Sequence, residues 1–176
     1  MRGGDHDGCA HENLNVGGLA TEPFGSRADV GDDIAHVVTE LAIDENALGM
    51  FGGADWAPNL DNPQNKKFVS AYEAAYNSVP GTYAMQSYDA AMLIDSAVKA
   101  VKGDLSNKEA VAAALKKADF TSLRGGFKFN TNGYPIQDFY LTKVAKRPDG
   151  KFQTEIVQKV FENYGDRYAK DCAPAN

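Results

Sequence analysis

The chain has 176 residues, of which 43% are hydrophobic and 24% charged, and its formal net charge is −6. That length suits one domain with a real core and is short for two. The acidic balance and the scatter of Lys and Arg argue against nucleic acid or an anionic membrane as the main partner. No apolar run reaches the ~18 residues that would mark a transmembrane helix, so no membrane insertion is expected.

The first residues, MRGGDHDGCAHENLN, carry Gly and acidic side chains where a signal peptide has its apolar stretch, so none is read there. Residues 1–31 are rich in Gly, Asp and Asn, and are expected to form a poorly structured leader. His6, Cys9 and His11 lie close together in it, but H-x-x-C-x-H lacks the second ligand pair of a metal site, and no metal is expected. Cys9 and Cys172 are either two unrelated thiols or one disulfide tying the termini.

Asp32 to Ile43 places Ile34, Val37, Val38 and Leu41 on one face, which predicts a helix with an acidic start. His36 is expected on its solvent side. Ala47 to Phe51 (ALGMF) is short and apolar and precedes Gly52-Gly53, which predicts a buried strand ending in a turn. In open α/β sheets ligands sit just past the carboxyl ends of strands, within reach of Ala54, Asp55 and Trp56. Trp56, the only Trp, either touches a ligand there or covers the sheet edge.

Asn62-Pro63 is a favoured helix start, and the helix is expected to run to about Asn77. Its apolar face is read as Phe68, Ala71, Tyr72, Ala75 and Tyr76. After the Pro80-Gly81 break a second helix is expected over Ala84 to Lys102, apolar enough to be well buried, with Gly103 just past its end. Ser106-x-x-Glu109 reads as a capping box opening a third helix to about Ala118, onto which Phe120 and Leu123 fold back. The remainder has strand character. Asn132-Gly133 marks a turn, and Asp149-Gly150 joins runs 137–146 and 151–161 as a hairpin. The segment from Tyr164 onward is polar and reads as a short helix or coil.

No nucleotide-binding, nucleophile-elbow, zincin or CxxC motif is present. Two of the three His lie in the leader, and no carboxylate pair sits isolated in a strongly apolar stretch. An enzyme is therefore disfavoured, and neither a catalytic residue nor a cofactor is nominated.

Four pieces resemble a known family when taken together. They are F-V-x-A-Y at Phe68, Y-A-x-Q-x-Y-D-A-A at Tyr83 to Ala91, F-x-S-x-R-G-x-F-x-F-N at Phe120 to Asn130, and P-I-Q-D-F-Y at Pro135 to Tyr140. Their order and spacing are similar to the C-terminal portion of periplasmic binding proteins of the leucine/isoleucine/valine type. Within that family they resemble the branch for aromatic acids and related carboxylates. The resemblance covers roughly 47–172. It implies an α/β fold, a partial type I receptor with Rossmann-like lobe helices on a small sheet and a C-terminal β-hairpin region. It also implies the solute-binding component of an ABC importer for branched-chain amino acids or aromatic carboxylates, periplasmic, without catalysis, working with a permease.

In the family an aromatic residue at the start of the Y-A-x-Q-x-Y-D-A block faces the ligand, a role that falls here on Tyr83; its plain alternative is a core tyrosine at a helix start. Asp55 and Trp56 match the strand end near the cleft. A Tyr ring with its hydroxyl suits such a carboxylate. The receptor-type fragment is expected over 32–172, with a tail at 173–176. The family's first βα units have no counterpart, so ligand binding by this chain alone is expected to be weak or absent, with some apolar surface left exposed. The expected layout has helices 63–77, 84–102 and 107–118 packed on a small sheet that contains 47–51, and a second, smaller body over 127–161. A ligand-sensing regulatory domain of the same fold, or an α/β enzyme domain with an unidentified site, are the other readings.

Overall fold

The structure is a computed structural model and describes residues 45–171. The leader, the 32–43 helix, the His6–Cys9–His11 group, the Cys9–Cys172 pair and the 173–176 tail lie outside the described residues.

The first strand is shifted from its expected place. Glu45–Ala47 forms a single 3-10 turn, and strand β1 is Phe51–Ala54. Between them the backbone turns: Met50 N–H donates to the Ala47 carbonyl and Gly49 adopts φ +82. The apolar run ALGMF is thus mostly turn, and Gly52 and Gly53, expected to end the strand, are its middle. Nor is the strand buried, since the side chain of Phe51 is 60% exposed.

β3 (Pro135–Lys146) is the hub of the sheet. It pairs antiparallel with β1 from Phe51↔Lys143 to Ala54↔Tyr140. It pairs antiparallel with the two-residue β2 (Lys128–Phe129) at its start, and with β4 (Phe152–Tyr164) along most of its length. Both expected turns are present. Gly133 (φ +82) donates to the Asn130 carbonyl between β2 and β3, and Gly150 (φ +86) donates to the Arg147 carbonyl between β3 and β4. Only a residue without Cβ reaches that region cheaply. The hairpin is not a separate body, because β1 joins it through β3. The described strands are all antiparallel, so the rule for parallel sheets has no purchase on Asp55.

Helix α1 is Pro63–Tyr76. Asn62 caps it by accepting the Asn65 N–H at 2.8 Å, with Pro63 in the first turn, and Asn77 closes it at φ +52. Its inner face is rotated from the expected one: Asn65 is buried and Phe68, Val69, Tyr72 and Glu73 half-buried, while Ala71, Ala75 and Tyr76 are exposed. Helix α2 is Thr82–Ala100 and ends where Gly103, at φ +81, donates back to the Val98 carbonyl. It buries Met85, Asp89 and Ala97 but exposes Ala90, Ala91 and Ile94, so the all-round burial expected of it is not found. Helix α3 is Lys108–Lys117. Its cap is Asn107, which accepts the Ala110 N–H at 3.0 Å, rather than Ser106, whose hydroxyl donates to Asp104. An acidic acceptor two residues upstream takes the serine, and Asn serves as an N-cap as well as Ser does.

Helices α2 and α3 pack together, and α3 touches β2. The core consists of Trp56, Met85 and Leu123, flanked by Leu60, Phe68, Val69 and Tyr88. Full burial of each large apolar side chain stabilises the fold by roughly 1.5–3 kcal/mol. This core lies on the helical side. Leu123, expected on the third helix, joins this core of α1, α2 and loop residues instead, and Phe120 packs on Phe127 at 5.5 Å between ring centroids.

Candidate functional site

The loop leaving β1 is organised by one buried amide. Asn65 accepts the Trp56 indole N–H at 2.7 Å and donates from its side chain to the Pro58 and Leu60 carbonyls, each at 3.0 Å. Trp56 is 1% exposed and meets Phe68 edge-on at 6.4 Å between centroids. A buried indole needs a partner for its N–H, and Asn65 supplies it. The ring of Trp56, nominated as ligand-facing, is packed, and its one polar donor is used inside the protein.

Asp55, one residue earlier, faces a polar cluster. Its side chain is 14% exposed and its Oδ2 lies 3.4 Å from Nη1 of Arg124. The same Nη1 donates to Gln137 Oε1 at 2.7 Å, and Nε donates to Asp89 Oδ2 at 3.2 Å. The guanidinium lies 4.4 Å above the Phe127 ring. Asp89 is 2% exposed, and it also accepts the Leu123 N–H at 2.9 Å and the Ser122 hydroxyl. Ser122 in turn accepts the Arg124 backbone N–H at 3.0 Å, and Asn62 holds the Leu123 carbonyl at 2.9 Å. A carboxylate this deep is tolerable only when paired and hydrogen-bonded, and Asp89 is both.

Tyr83 stands apart from this cluster in its environment, in the first turn of α2 and 45% exposed. That exposure removes the core-tyrosine alternative. On the sheet, Tyr140 is buried and donates to Asp138, which is also bound by Lys159 and by the Asn163 N–H. Burial would push the Asp138 carboxyl up, but the Lys159, Asn163 and Tyr140 donors outweigh it and hold the group below its ordinary range. Burial and the neighbouring Asp138 push the Tyr140 hydroxyl up. Among the described residues no group of His, Cys, Asp and Glu could hold a metal, and no helix is long and apolar enough to cross a membrane.

A separate groove of about 410 Å³ opens between α2, α3 and β2, walled by Leu93, Leu115 and Phe129 with Asn130 and Thr131 at its polar side. Sequence reading missed both this groove and the Arg124 cluster. The clue to the cluster was Asp89, a carboxylate at helical spacing from the apolar Met85 and Met92, where an ion partner is required.

The chain's residues 35–151 match the model of the periplasmic binding protein family. A Leu/Ile/Val-binding protein homolog 6 of Brucella abortus (strain 2308) is 33% identical over 128 residues, 71% of this chain and 32% of that protein. Among solved structures, an ABC-transporter solute-binding protein from R. palustris in complex with benzoate has 33% identity and a TM-score of 0.66. It covers 73% of this chain and 34% of its own. A solute-binding protein from Rhodopseudomonas palustris BisB5 in complex with 3,4-dihydroxybenzoic acid has 25% identity and a TM-score of 0.64, covering 76% and 36%. The chain belongs to the periplasmic binding protein family and has its α/β, type I architecture. It spans about a third of the length of the curated relatives it matches.

Proposed function

We propose that this chain is part of the solute-binding component of an ABC-type importer. In this reading it acts in the periplasm without catalysis and hands a small carboxylate, a branched-chain amino acid or an aromatic acid, to a permease. The observation that carries it is the family match over 35–151, joined to a 0.66 TM-score against a benzoate-bound receptor at 33% identity.

Within this reading Tyr83 and Asp55 face the ligand. Tyr83 offers a half-exposed ring and a hydroxyl at the start of α2. Asp55 sits at the end of β1 beside a guanidinium, where an ammonium or hydroxyl group of a ligand can add a donor. Trp56 supports the loop from below. The test is a titration of the ¹⁵N-labelled chain with benzoate, 4-hydroxybenzoate and leucine. Weak saturable shifts confined to residues 54–56 and 82–87, with a Kd of about 1–10 mM for this partial site, are expected. Shifts that fail to saturate, or that fall on the Leu93–Leu115–Phe129 groove, would sink this site.

A further inference from the structure

Arg124 is one point at which the helical side of the molecule takes hold of the sheet. On the helical side its position is fixed by a closed ring of contacts. Asp89 on α2 binds Nε, the Ser122 hydroxyl binds Asp89, and the same hydroxyl oxygen accepts the Arg124 backbone N–H. Asp89 also takes the Leu123 N–H, and the Leu123 side chain is anchored in the core against Trp56 and Met85. The Phe127 face beneath the guanidinium limits its tilt. On the sheet side the fork reaches both strands that meet there, Gln137 on β3 and Asp55 just past β1. A planar guanidinium whose Nε is pinned presents Nη1 in one direction only, which a flexible ammonium does not do.

We infer that Arg124 is a positioning residue: it transfers the fixed geometry of α2 and the 122–125 turn to the ends of β1 and β3, and so sets where Asp55 points. This rests on the reading of Asp55 as ligand-facing only for its consequence, not for the geometry. The two carboxylates also hold unequal places. Asp89 has three donors at 2% exposure, whereas Asp55 meets Arg124 at 3.4 Å, longer than a charge-assisted hydrogen bond. Arg124 therefore locates Asp55 without closing off its carboxylate.

The experiment is residue-resolved amide exchange on the full chain for the wild type, Arg124→Lys and Gln137→Ala. It is combined with residual dipolar couplings that report the angle between α2 and β3. Arg124→Lys keeps the charge and loses the fork. It is expected to speed exchange at 54–56 and 136–139 by about tenfold or more and to change the α2–β3 angle, with the amides of α1 unchanged. Gln137→Ala removes one sheet-side partner and leaves Asp89 satisfied. It is expected to give the β3 part of that pattern alone, which keeps the test open if the lysine variant does not fold. A uniform rise in exchange across all elements, or an unchanged angle in both variants, overturns the inference. Titration with benzoate and leucine is run in parallel. If the angle changes but the wild type gives no saturable response, the positioning role stands and the ligand-facing reading of Asp55 falls.

Discussion

Replacing Trp56 by Phe separates a packing role from a binding role. The indole is 1% exposed and its N–H is donated at 2.7 Å to Asn65 Oδ1, an atom that is itself buried. The phenyl ring keeps the contact with Phe68 but has no donor, so the amide oxygen is left without that partner, at a cost of roughly 1–3 kcal/mol. The lost ring atoms also leave a void whose lining can relax only in part, adding on the order of 1–2 kcal/mol. Together the loss is about 2–5 kcal/mol, a large fraction of the ~5–15 kcal/mol that holds a domain. Urea unfolding followed by circular dichroism measures it. With a slope of about 2 kcal/mol/M, the midpoint should fall by ~1–2.5 M. The partner variant Asn65→Leu removes the amide altogether, and in the double variant the two losses should fall short of their sum, because they share one hydrogen bond. A midpoint shift below about 0.3 M, combined with loss of the benzoate response, would refute the reasoning and return Trp56 to the ligand.

Asn107→Ala should cost about 1 kcal/mol, as a true N-cap does, whereas Ser106→Ala should cost less than ~0.5 kcal/mol; chemical denaturation of the two variants tests which residue caps α3. For Asp138, a folded carboxyl held below its ordinary value of 3.8 contributes stability that is present above that value and lost as pH falls through the lower, folded one. Asp138→Asn should therefore be less stable than wild type near pH 7, with the gap closing below pH 3.8, and a gap independent of pH would contradict this assignment. Gly150→Ala forces a Cβ into φ +86 and should destabilise the β3–β4 hairpin by about 1 kcal/mol or more, read from thermal melts.

Much of the helical side was legible because its signals are local. Asn62-Pro63 fixes the start of α1 with a side-chain acceptor and a preset φ, and no tertiary contact is needed to read it. The glycine turns at 133 and 150 are likewise chosen by backbone sterics alone. What failed depended on partners distant in sequence. ALGMF looks like a buried strand on hydrophobicity, but strand pairing with β3 begins only at Phe51, opposite Lys143, and that register is set 92 residues away. The rotated face of α1 has the same origin. Asn65 turns inward because Trp56 and two loop carbonyls need it, and a polar residue at the core face breaks the apolar period. The Arg124 cluster joins four stretches of chain and was missed, and its one local clue is Asp89, a carboxylate among apolar neighbours.

The way the two sides are joined bears on what the molecule can do. The shared apolar core is helical, built from α1, α2 and the two loops at 56–60 and 123, and polar contacts from the loops reach β3 at Gln137 and β4 at Ile156. Arg124 holds β3 near its start at Gln137, and Arg147, just past its end, pairs with Glu73 on α1. These two attachments lie about ten residues apart along β3, or roughly 33 Å of strand. Two directional contacts at such a span fix the heading of a strand far more tightly than one. Partly buried contacts of this charged kind are weak as glue and strict about geometry.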